Sequence, residues 1–484
     1  MQEDVMGKNK GHLIQMSKSV CPECLRTLDC RIISRDGKIF LQKECQEHGF
    51  FEIILSSDSD AYIKAIKENV PGIKPKFIQT PVSKGCPNDC GFCDEHQQHT
   101  CVGIIEITDD CNLHCPVCFA GSESSFSLSL EKVKEMIDLF VEREENPEVL
   151  QISGGEPTLH PDILDILEYA GKKGILYPVL NTNGIKLADL GFAEKVAATV
   201  PSEDSSVGKP VIYFQFDGFS DEIYMALRGK PLLETKMKAL ENCKKLGMTV
   251  ALVSTLVKGV NDHEMGKIID FAMGESYIKM VNFQPATLTG RHELSDKISG
   301  RMTIPDVLSE IKLQTKGTLK EDSFITTPCP YPTCYVCAYV YSNNGRNVVL
   351  TRFLNSSACR DYLVGRAIPD IEVVSLIEKS LSTFGNLLSR SSMLTGSNKE
   401  DGCCSGGSCS GIIPEIGSVL NNVTLVSVHA FMDEYNFSIE RTKKCCITEI
   451  MPDGRIIPFC AYNVLYRKEL TEQFRDNNYS HNAD

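Results

Sequence analysis

Tryptophan is missing from all 484 residues, and that absence alone excludes nothing. Other shortages are more useful. No apolar run approaches the roughly 20 residues that carry a helix across a bilayer, so no membrane-spanning helix is expected. The start of the chain lacks the charged, apolar and small-residue segments of a signal peptide, so none is expected either. Positive charge is also short, with a formal net charge of −14. Nucleic-acid binding, which needs a basic footprint, is excluded on that ground, and electrostatic attraction to an anionic membrane is disfavoured. A chain of this length has room for two to four domains with sizeable cores.

Cysteine is what the chain has in plenty, 22 residues. They recur at two- and three-residue intervals in an otherwise ordinary soluble composition. That favours metal over disulfides and places the protein in a reducing, low-oxygen cytoplasm. Cys111, Cys115 and Cys118, spaced C-x3-C-x2-C, offer three thiolates to an iron–sulfur cube with four iron corners, so one iron lacks a protein ligand. Such a corner can bind substrate or cofactor, as an open position does at a catalytic metal. The same spacing recurs at Cys86, Cys90 and Cys93. Phe92 precedes the third cysteine there, where Val117 stands in the other run. Context separates the two. The β-rich stretch Val102–Thr108 leads straight into Cys111. A helical apolar pattern follows at Val133, Met136, Ile137, Phe140 and Val141. A second apolar stretch, Val149–Ile152, then runs to Gly154, Gly155, Glu156, Pro157 and Thr158. No strand precedes Cys86, and Cys101 can supply that run with a fourth ligand. A fully ligated cube has no open corner, so Cys86, Cys90, Cys93 and Cys101 are read as an auxiliary cluster.

Residues 21–60 read as a small metal module. Cys21 and Cys24, then Cys45 and His48, form two knuckles that suit one zinc or rubredoxin-like iron with no vacancy. Cys30 is an alternative to His48. Between the knuckles, Arg31–Ser34 and Lys38–Gln42 flank Arg35, Asp36 and Gly37, a hairpin signal. Residues 1–20 look like a disordered polar start. Towards the C-terminus, Cys329 and Cys334 with Cys446 and Cys460 could hold a second auxiliary cluster, since Cys446 and Cys460 flank a predicted hairpin around Asp453–Arg455. Cys445 competes with Cys446, because adjacent side chains diverge. Cys243, Cys337 and Cys359 read as free core thiols. Residues 386–411 form a Ser/Gly-rich connector whose Cys403, Cys404 and Cys409 are the weakest metal candidates.

Strand, three-cysteine loop, helix, strand and Gly-Gly-Glu-Pro turn together resemble the start of a radical S-adenosylmethionine (SAM) enzyme. The resemblance implies an α/β fold, a partial (β/α)6 radical SAM barrel with small metal-binding N-terminal and C-terminal modules. Six short apolar segments fit its strands: Val102–Thr108, Val149–Ser153, Tyr177–Asn181, Val211–Phe216, Val250–Val257 and Met280–Gln284. Such runs suit a parallel sheet covered by helices. The expected division is a disordered start at 1–20, a zinc-ribbon or rubredoxin-like module at 21–60 and an auxiliary iron–sulfur segment at 61–101. The radical SAM core follows at 102–290, an extension at 291–385, the linker at 386–411 and an auxiliary-cluster module at 412–484. Chemistry then belongs at the C-terminal strand ends.

The resemblance also implies the cofactors, a catalytic [4Fe-4S] cluster on Cys111, Cys115 and Cys118, SAM chelated at its open iron, and one or two auxiliary [4Fe-4S] clusters. One electron then yields a 5′-deoxyadenosyl radical that takes hydrogen from an unactivated C–H bond. Gly154, Gly155 and Glu156 are expected to let backbone approach the methionine moiety. Asn181, Thr182 and Asn183 are expected to hold polar groups of SAM, followed by Gln215, Asp217 and Ser254. Arg228 is either a bidentate carboxylate partner or a surface arginine at a helix end.

From residue 21 to about 465, the ordered motifs resemble the archaeal-type group of tetraether lipid synthase and a pterin-modifying enzyme of methanopterin biosynthesis. The first implication is sp3 carbon–carbon coupling of isoprenoid chains in an archaeol-type lipid. The alternatives are methylation of a dihydropterin, for which no cobalamin-binding domain is evident, and SPASM-type peptide modification. A non-catalytic multicluster electron carrier is the reading from another class. A reduced ferredoxin- or flavodoxin-like donor is expected. Ile311, Leu313, Leu376, Ile377, Leu381, Leu387 and Leu388 are candidates for transient membrane contact. The shape of the cavity above the catalytic iron should discriminate: a long apolar tunnel for lipid, a small polar slot for pterin, an open groove for peptide and no cavity for the carrier.

Overall fold

The computed structural model describes residues 11–120, 126–144, 147–199, 210–294, 300–343, 345–352, 366 and 422–476. Its N-terminal part is a four-stranded antiparallel sheet in sequence order, β1 (His12–Val20), β2 (Thr27–Arg35), β3 (Lys38–Cys45) and β4 (Gly49–Ser56). The β2–β3 turn is the predicted one. Arg35 pairs with Lys38, and Asp36 and Gly37 both take positive φ, as a two-residue type I′ hairpin requires. The expectation of a disordered start at 1–20 needs correction from His12 onward, because β1 pairs along its length with β2. Its polar residues mark a half-solvated strand. Helix α1 (Ser59–Lys67) follows, capped by the Asp58 side chain.

The second sheet has twelve strands. All six core strands expected from the sequence are present. They are β5 (Val102–Thr108), then, after the two-residue β6 (Val117–Cys118) and helix α2 (Leu130–Arg143), β7 (Val149–Gly154). Next come α3 (Ile163–Lys172), β8 (Tyr177–Thr182), α4 (Leu190–Ala198), β9 (Val211–Gln215), α5 (Asp221–Arg228) and α6 (Leu233–Lys245). The core closes with β10 (Val250–Leu256), α7 (Met265–Gly274) and β11 (Ile278–Pro285). These six strands lie side by side and parallel. Ile105, Ile107, Leu150, Ile152, Phe214 and Phe283 alternate onto the face covered by helices, where they pack with Val133, Ile137 and Phe140 of α2. Positions between them, such as Glu106, Ser153, Asn181 and Gln215, face the other way.

Later residues finish this sheet. After β12 (Arg291–His292), which pairs with β6, come β13 (Ile325–Thr326), β14 (Tyr335–Asn343) and β15 (Arg346–Val349). Then β16 (Val423–His429) adds a parallel strand beside β11, and β14 runs antiparallel on β16. At the opposite edge, β17 (Ile447–Ile450) adds a parallel strand beside β5, closed by β18 (Ile456–Pro458). As far as it is described, segment 412–484 is therefore built into the barrel sheet at both edges. Among the described residues no helix is long and apolar enough to cross a membrane. Of the residues considered for membrane contact, Ile311 belongs to the core and Leu313 is 66% exposed. The other five lie outside the described residues, as do Cys359, Cys403, Cys404 and Cys409.

Candidate active site and metal centres

The loop carrying Cys111, Cys115 and Cys118 leaves the C-terminal end of β5 and ends in β6. Cys111 is its exposed member and the other two are half-buried. Crowding by protein, and then the charges of Glu156, Cys115 and Cys118, push the Cys111 thiol up to about 11. The three sulfurs and Glu156 thus share one neighbourhood. The turn after β7 is locked onto this loop, with Gly155 N–H donating to Thr108 O and Glu156 N–H to Asp110 O, each at 2.8 Å. A Cβ on Gly155 would stand 2.5 Å from the carbonyl oxygens of both Asp109 and Asp110. One on Gly154, at φ +138°, would strike Thr108 O. These glycines, expected to admit a methionine moiety, serve the protein as well, since they let the turn press on the segment that delivers Cys111.

The strand-end residues form a connected network. Buried Glu156 accepts from Thr158 N–H and Oγ1, from Thr182 Oγ1 at 2.7 Å and from Asn183 N–H at 2.7 Å. Asn183 Nδ2 in turn donates to Asn112 Oδ1 in the cysteine loop at 2.7 Å. Asn181 Nδ2 donates to Ser153 Oγ at 3.0 Å, and Ser254 Oγ accepts from Asn261 Nδ2 at 3.4 Å. Asp217 is fully buried and accepts from Gln215 Nε2, Thr255 N–H and, bidentately, Arg228. Its two oxygens lie 2.7 and 2.8 Å from Nε and Nη2 of Arg228. The surface reading of Arg228 therefore fails. Burial opposes its charge, but Asp217 outweighs that and holds its pKa above the ordinary range.

In the N-terminal sheet, the ligand atoms of Cys21, Cys24, Cys45 and His48 all lie within 4.8 Å of one another. Donation from Glu47 N–H and contact with His48 lower the Cys45 thiol to about 6, a sulfur ready to ligate as thiolate. Cys30 lies apart, buried near Lys43 and Ser17, with its thiol pushed up to about 11. It is not the fourth ligand.

The cysteines expected to hold auxiliary clusters group differently from the expected sets. Cys101 does not join Cys86, Cys90 and Cys93. Its sulfur lies 3.1 Å from that of Cys329, and these two pack with Cys446. The reason is topological: Cys101 sits where β5 starts, hydrogen-bonded to Cys446 at the start of the neighbouring β17. Cys86, Cys90 and Cys93 remain together as a trio. Cys446 and Cys460 do not converge either. Cys460 lies with Cys334 and Cys445 around Arg441, whose Nε donates to Cys334 Sγ at 3.0 Å. Adjacent Cys445 and Cys446 thus serve opposite groups. Cys243 and Cys337 are buried, with thiols pushed up to about 12 by burial, as free core thiols would be.

Several residues at the site escape sequence reasoning. Lys236 is fully buried and donates to Asn183 O, Gln215 O and Gln215 Oε1 at 2.5, 2.8 and 2.5 Å. Burial lowers it to about 7. The available signal was its place on the apolar stripe of α6, four and seven residues before Leu240 and Cys243. A cavity of about 590 Å³ opens between the N-terminal sheet, α1, the end of β11 and Arg441. Ile32 and Leu41 line one side, and Thr287, Arg301 and Phe431 line another. Cys111, Cys115 and Cys118 do not border it. Phe431, which lines it, has its ring 5.4 Å from that of Phe119, the residue after Cys118.

Comparison with known proteins agrees with this geometry. Residues 105–272 match the radical SAM superfamily, and residues 13–57 match the HMPTM N-terminal zinc ribbon domain. The chain is 34% identical to 7,8-dihydro-6-hydroxymethylpterin dimethyltransferase of Methanocaldococcus jannaschii, over 94% of each. Similarity to GTP 3′,8-cyclase of Erythrobacter litoralis is 26%, over 36% of this chain and 51% of the relative. Among solved structures, Streptococcus suis SuiB bound to its precursor peptide aligns with a TM-score of 0.38 and 16% identity, covering 46% of each chain. With one relative matched almost end to end, ribbon, barrel and C-terminal strands together, the chain belongs to the radical SAM superfamily, in the family of 7,8-dihydro-6-hydroxymethylpterin dimethyltransferase.

Proposed function

We propose that this radical SAM enzyme modifies a dihydropterin, methylating its ring. The observation that carries the reading is the 34% identity to the M. jannaschii relative across 94% of both chains. A shared barrel alone would support no substrate. Here the ribbon and the C-terminal segment, whose Phe431 and Arg441 line the cavity, are matched along with it.

The residues present fit a three-thiolate cluster. Three soft sulfur donors gather on one loop at the C-terminal strand ends, with Cys111 open to solvent. Cys111, Cys115 and Cys118 would hold it, and the turn at Gly154–Glu156 with Asn181–Asn183 would face its fourth iron. When bound, cluster and SAM supply a radical able to abstract hydrogen from carbon. Glu156 keeps Thr182 and Asn183 in place, and Lys236 fixes the backbone of Asn183 and Gln215. We assign auxiliary iron–sulfur ligands to three trios: Cys86, Cys90 and Cys93; Cys101, Cys329 and Cys446; Cys334, Cys445 and Cys460. Cys21, Cys24, Cys45 and His48 take zinc or iron. A reduced ferredoxin- or flavodoxin-like protein supplies electrons.

A second reading, coupling of isoprenoid chains, stays as an outcome of the test, because the cavity does not border Cys111, Cys115 and Cys118. The cavity lining mixes Ile32, Leu41 and Ile54 with Lys64, Glu68, Arg301 and Asp322, so it favours neither a chain nor a bicyclic ring. The test is incubation of the reconstituted protein with SAM and dithionite, supplied in separate arms with 7,8-dihydro-6-hydroxymethylpterin and archaeol phospholipid. Mass spectrometry should find added methyl groups on the pterin. Loss of hydrogen with joined lipid chains would transfer the assignment to coupling.

A further inference from the structure

Between Asn69 and Gly85 the chain carries three lysines, Lys74, Lys76 and Lys84, and no aspartate or glutamate, although its formal charge as a whole is −14. All three lysines are exposed. The same stretch holds four of the twelve large apolar side chains that are exposed among the described residues, namely Ile73, Phe77, Ile78 and Val82, each 43–49% exposed. A lone exposed apolar side chain is ordinary, whereas such a run marks a contact surface. The guanidinium of Arg143 lies 5.0 Å over the Phe77 ring and adds a further positive charge. The stretch forms no helix or strand and is held against the chain that follows it. Ile73 O accepts from His99 N–H at 2.7 Å, Gln79 N–H donates to Phe92 O at 2.9 Å and Thr80 Oγ1 donates to Asp89 O at 2.8 Å. Cys86, Cys90 and Cys93, carried on that following loop, line one small cavity. The acidic residues of the loop are engaged locally. Asp89 accepts N–H from Ser83, Lys84 and Gly85, Glu95 accepts from Cys86 N–H at 3.0 Å, and Asp94 lies 3.6 Å from Lys74 Nζ.

An apolar strip flanked by lysines has the makeup of a transient interface, in which apolar contact holds a partner while complementary charge orients it and speeds its approach. Electron-transfer encounters use small interfaces, below about 1,200 Å², and a strip of this length suits one. Positive charge concentrated on one face of an acidic molecule directs an acidic partner to that face. The sulfurs behind the strip decide what kind of partner it is, since a bilayer would have no use for them and an electron carrier would. We propose that residues 73–84 are the docking surface for an acidic one-electron carrier protein, bringing its redox group to the side of the molecule where Cys86, Cys90 and Cys93 lie. Docked there, the carrier loses one electron and the protein gains it, with no group transferred. The proposal rests on the reading that an external carrier supplies electrons and is independent of whether pterin or lipid is the substrate.

The test is anaerobic binding of a reduced ferredoxin and, in a separate arm, a reduced flavodoxin, both acidic, to the reconstituted full chain at low salt. Iron and sulfide content establish that each variant is loaded. Lys76→Glu with Lys84→Glu should weaken carrier binding about tenfold or more, and the gap should narrow as salt is raised. Ile78→Ser with Val82→Ser should weaken it at every salt concentration. Lys195→Glu with Lys238→Glu makes the same change in net charge at exposed lysines of α4 and α6 and should bind as wild type does. Carrier-driven SAM cleavage should fall in both strip variants, whereas dithionite-driven cleavage should not change. Wild-type affinity in the strip variants would overturn the proposal, and so would a wild-type protein that binds neither carrier. Anionic phospholipid vesicle binding or self-association that is lost in the strip variants while carrier binding persists would overturn it too. If one pair of changes prevents loading, the other pair decides. Carrier binding that is lost in the variants, with no carrier-driven cleavage in wild type, would support the surface and remove only the reading of the carrier as donor.

Discussion

Among single residues, Glu449 stands out because it is buried without a use in the site. It is 2% exposed, its Oε1 has no hydrogen-bond partner among the described residues, and Glu106 lies close by. The cation beside it among the described residues, Arg467, is already committed. Its Nη1 and Nη2 donate to the two oxygens of Glu106 at 2.9 and 2.6 Å, and Tyr462 Oη donates to Glu106 as well. Burial, and then the neighbouring carboxylate, hold the Glu449 pKa well above the ordinary range. The folded state therefore keeps a proton that the unfolded chain has shed, and stability falls as pH rises from about 4.5 towards the folded value. Glu449→Gln keeps the shape and stays neutral. It should match wild type near pH 4.5 and gain on it by up to about 1.4 kcal/mol per pH unit above that. Urea denaturation at pH 5, 7 and 8 would show this, and parallel curves for the two proteins would sink it.

At the scale of elements, what could be read from the sequence was local. Apolar runs such as Val102–Thr108 and the alternation in β2 and β3 report strands directly, because side-chain direction repeats every two residues. Cysteine spacing likewise reports which sulfurs share a loop, as at Cys111, Cys115 and Cys118. Spacing cannot report which loops meet, and for that reason Cys101 was assigned to the run before it instead of to Cys329, 228 residues away. Nor does a Gly-Gly pair say what it approaches. Here Gly155 packs on Asp109 and Asp110, so the β7 turn and the cysteine loop act as one piece. Gly155→Ala should cost about 1–3 kcal/mol through overpacking. It should also slow SAM cleavage at least tenfold while leaving the ribbon's metal content unchanged. Gly274→Ala, where a Cβ meets nothing within 4 Å, is the control and should be neutral. Equal behaviour of the two variants would show that the close approach has no bearing on the loop.

For the whole molecule, the sheet order decides what can fold alone. The six core strands run from β11 to β5, and among the described residues the strands that pair with these two edges both come after residue 422. β16 covers β11 and β17 covers β5, each parallel, so the C-terminal strands occupy edges that would otherwise offer unpaired N–H and C=O groups. The ribbon depends on the same segment. Buried Lys43 donates to Glu434 O and Tyr435 O at 2.8 Å each, and Ser19 Oγ donates to Phe437 O at 2.6 Å. Core, ribbon and C-terminal strands are therefore tied together by hydrogen bonds, although the motifs read as consecutive modules, and they are expected to unfold as one body. A chain shortened after residue 411 should fail to yield a soluble barrel despite retaining Cys111, Cys115, Cys118 and every helix of the core. Supplying residues 412–484 as a separate, co-expressed chain should restore solubility and cluster loading. A shortened chain that stays monomeric and binds its cluster would show that β16 and β17 are accessories, and that the core closes without them.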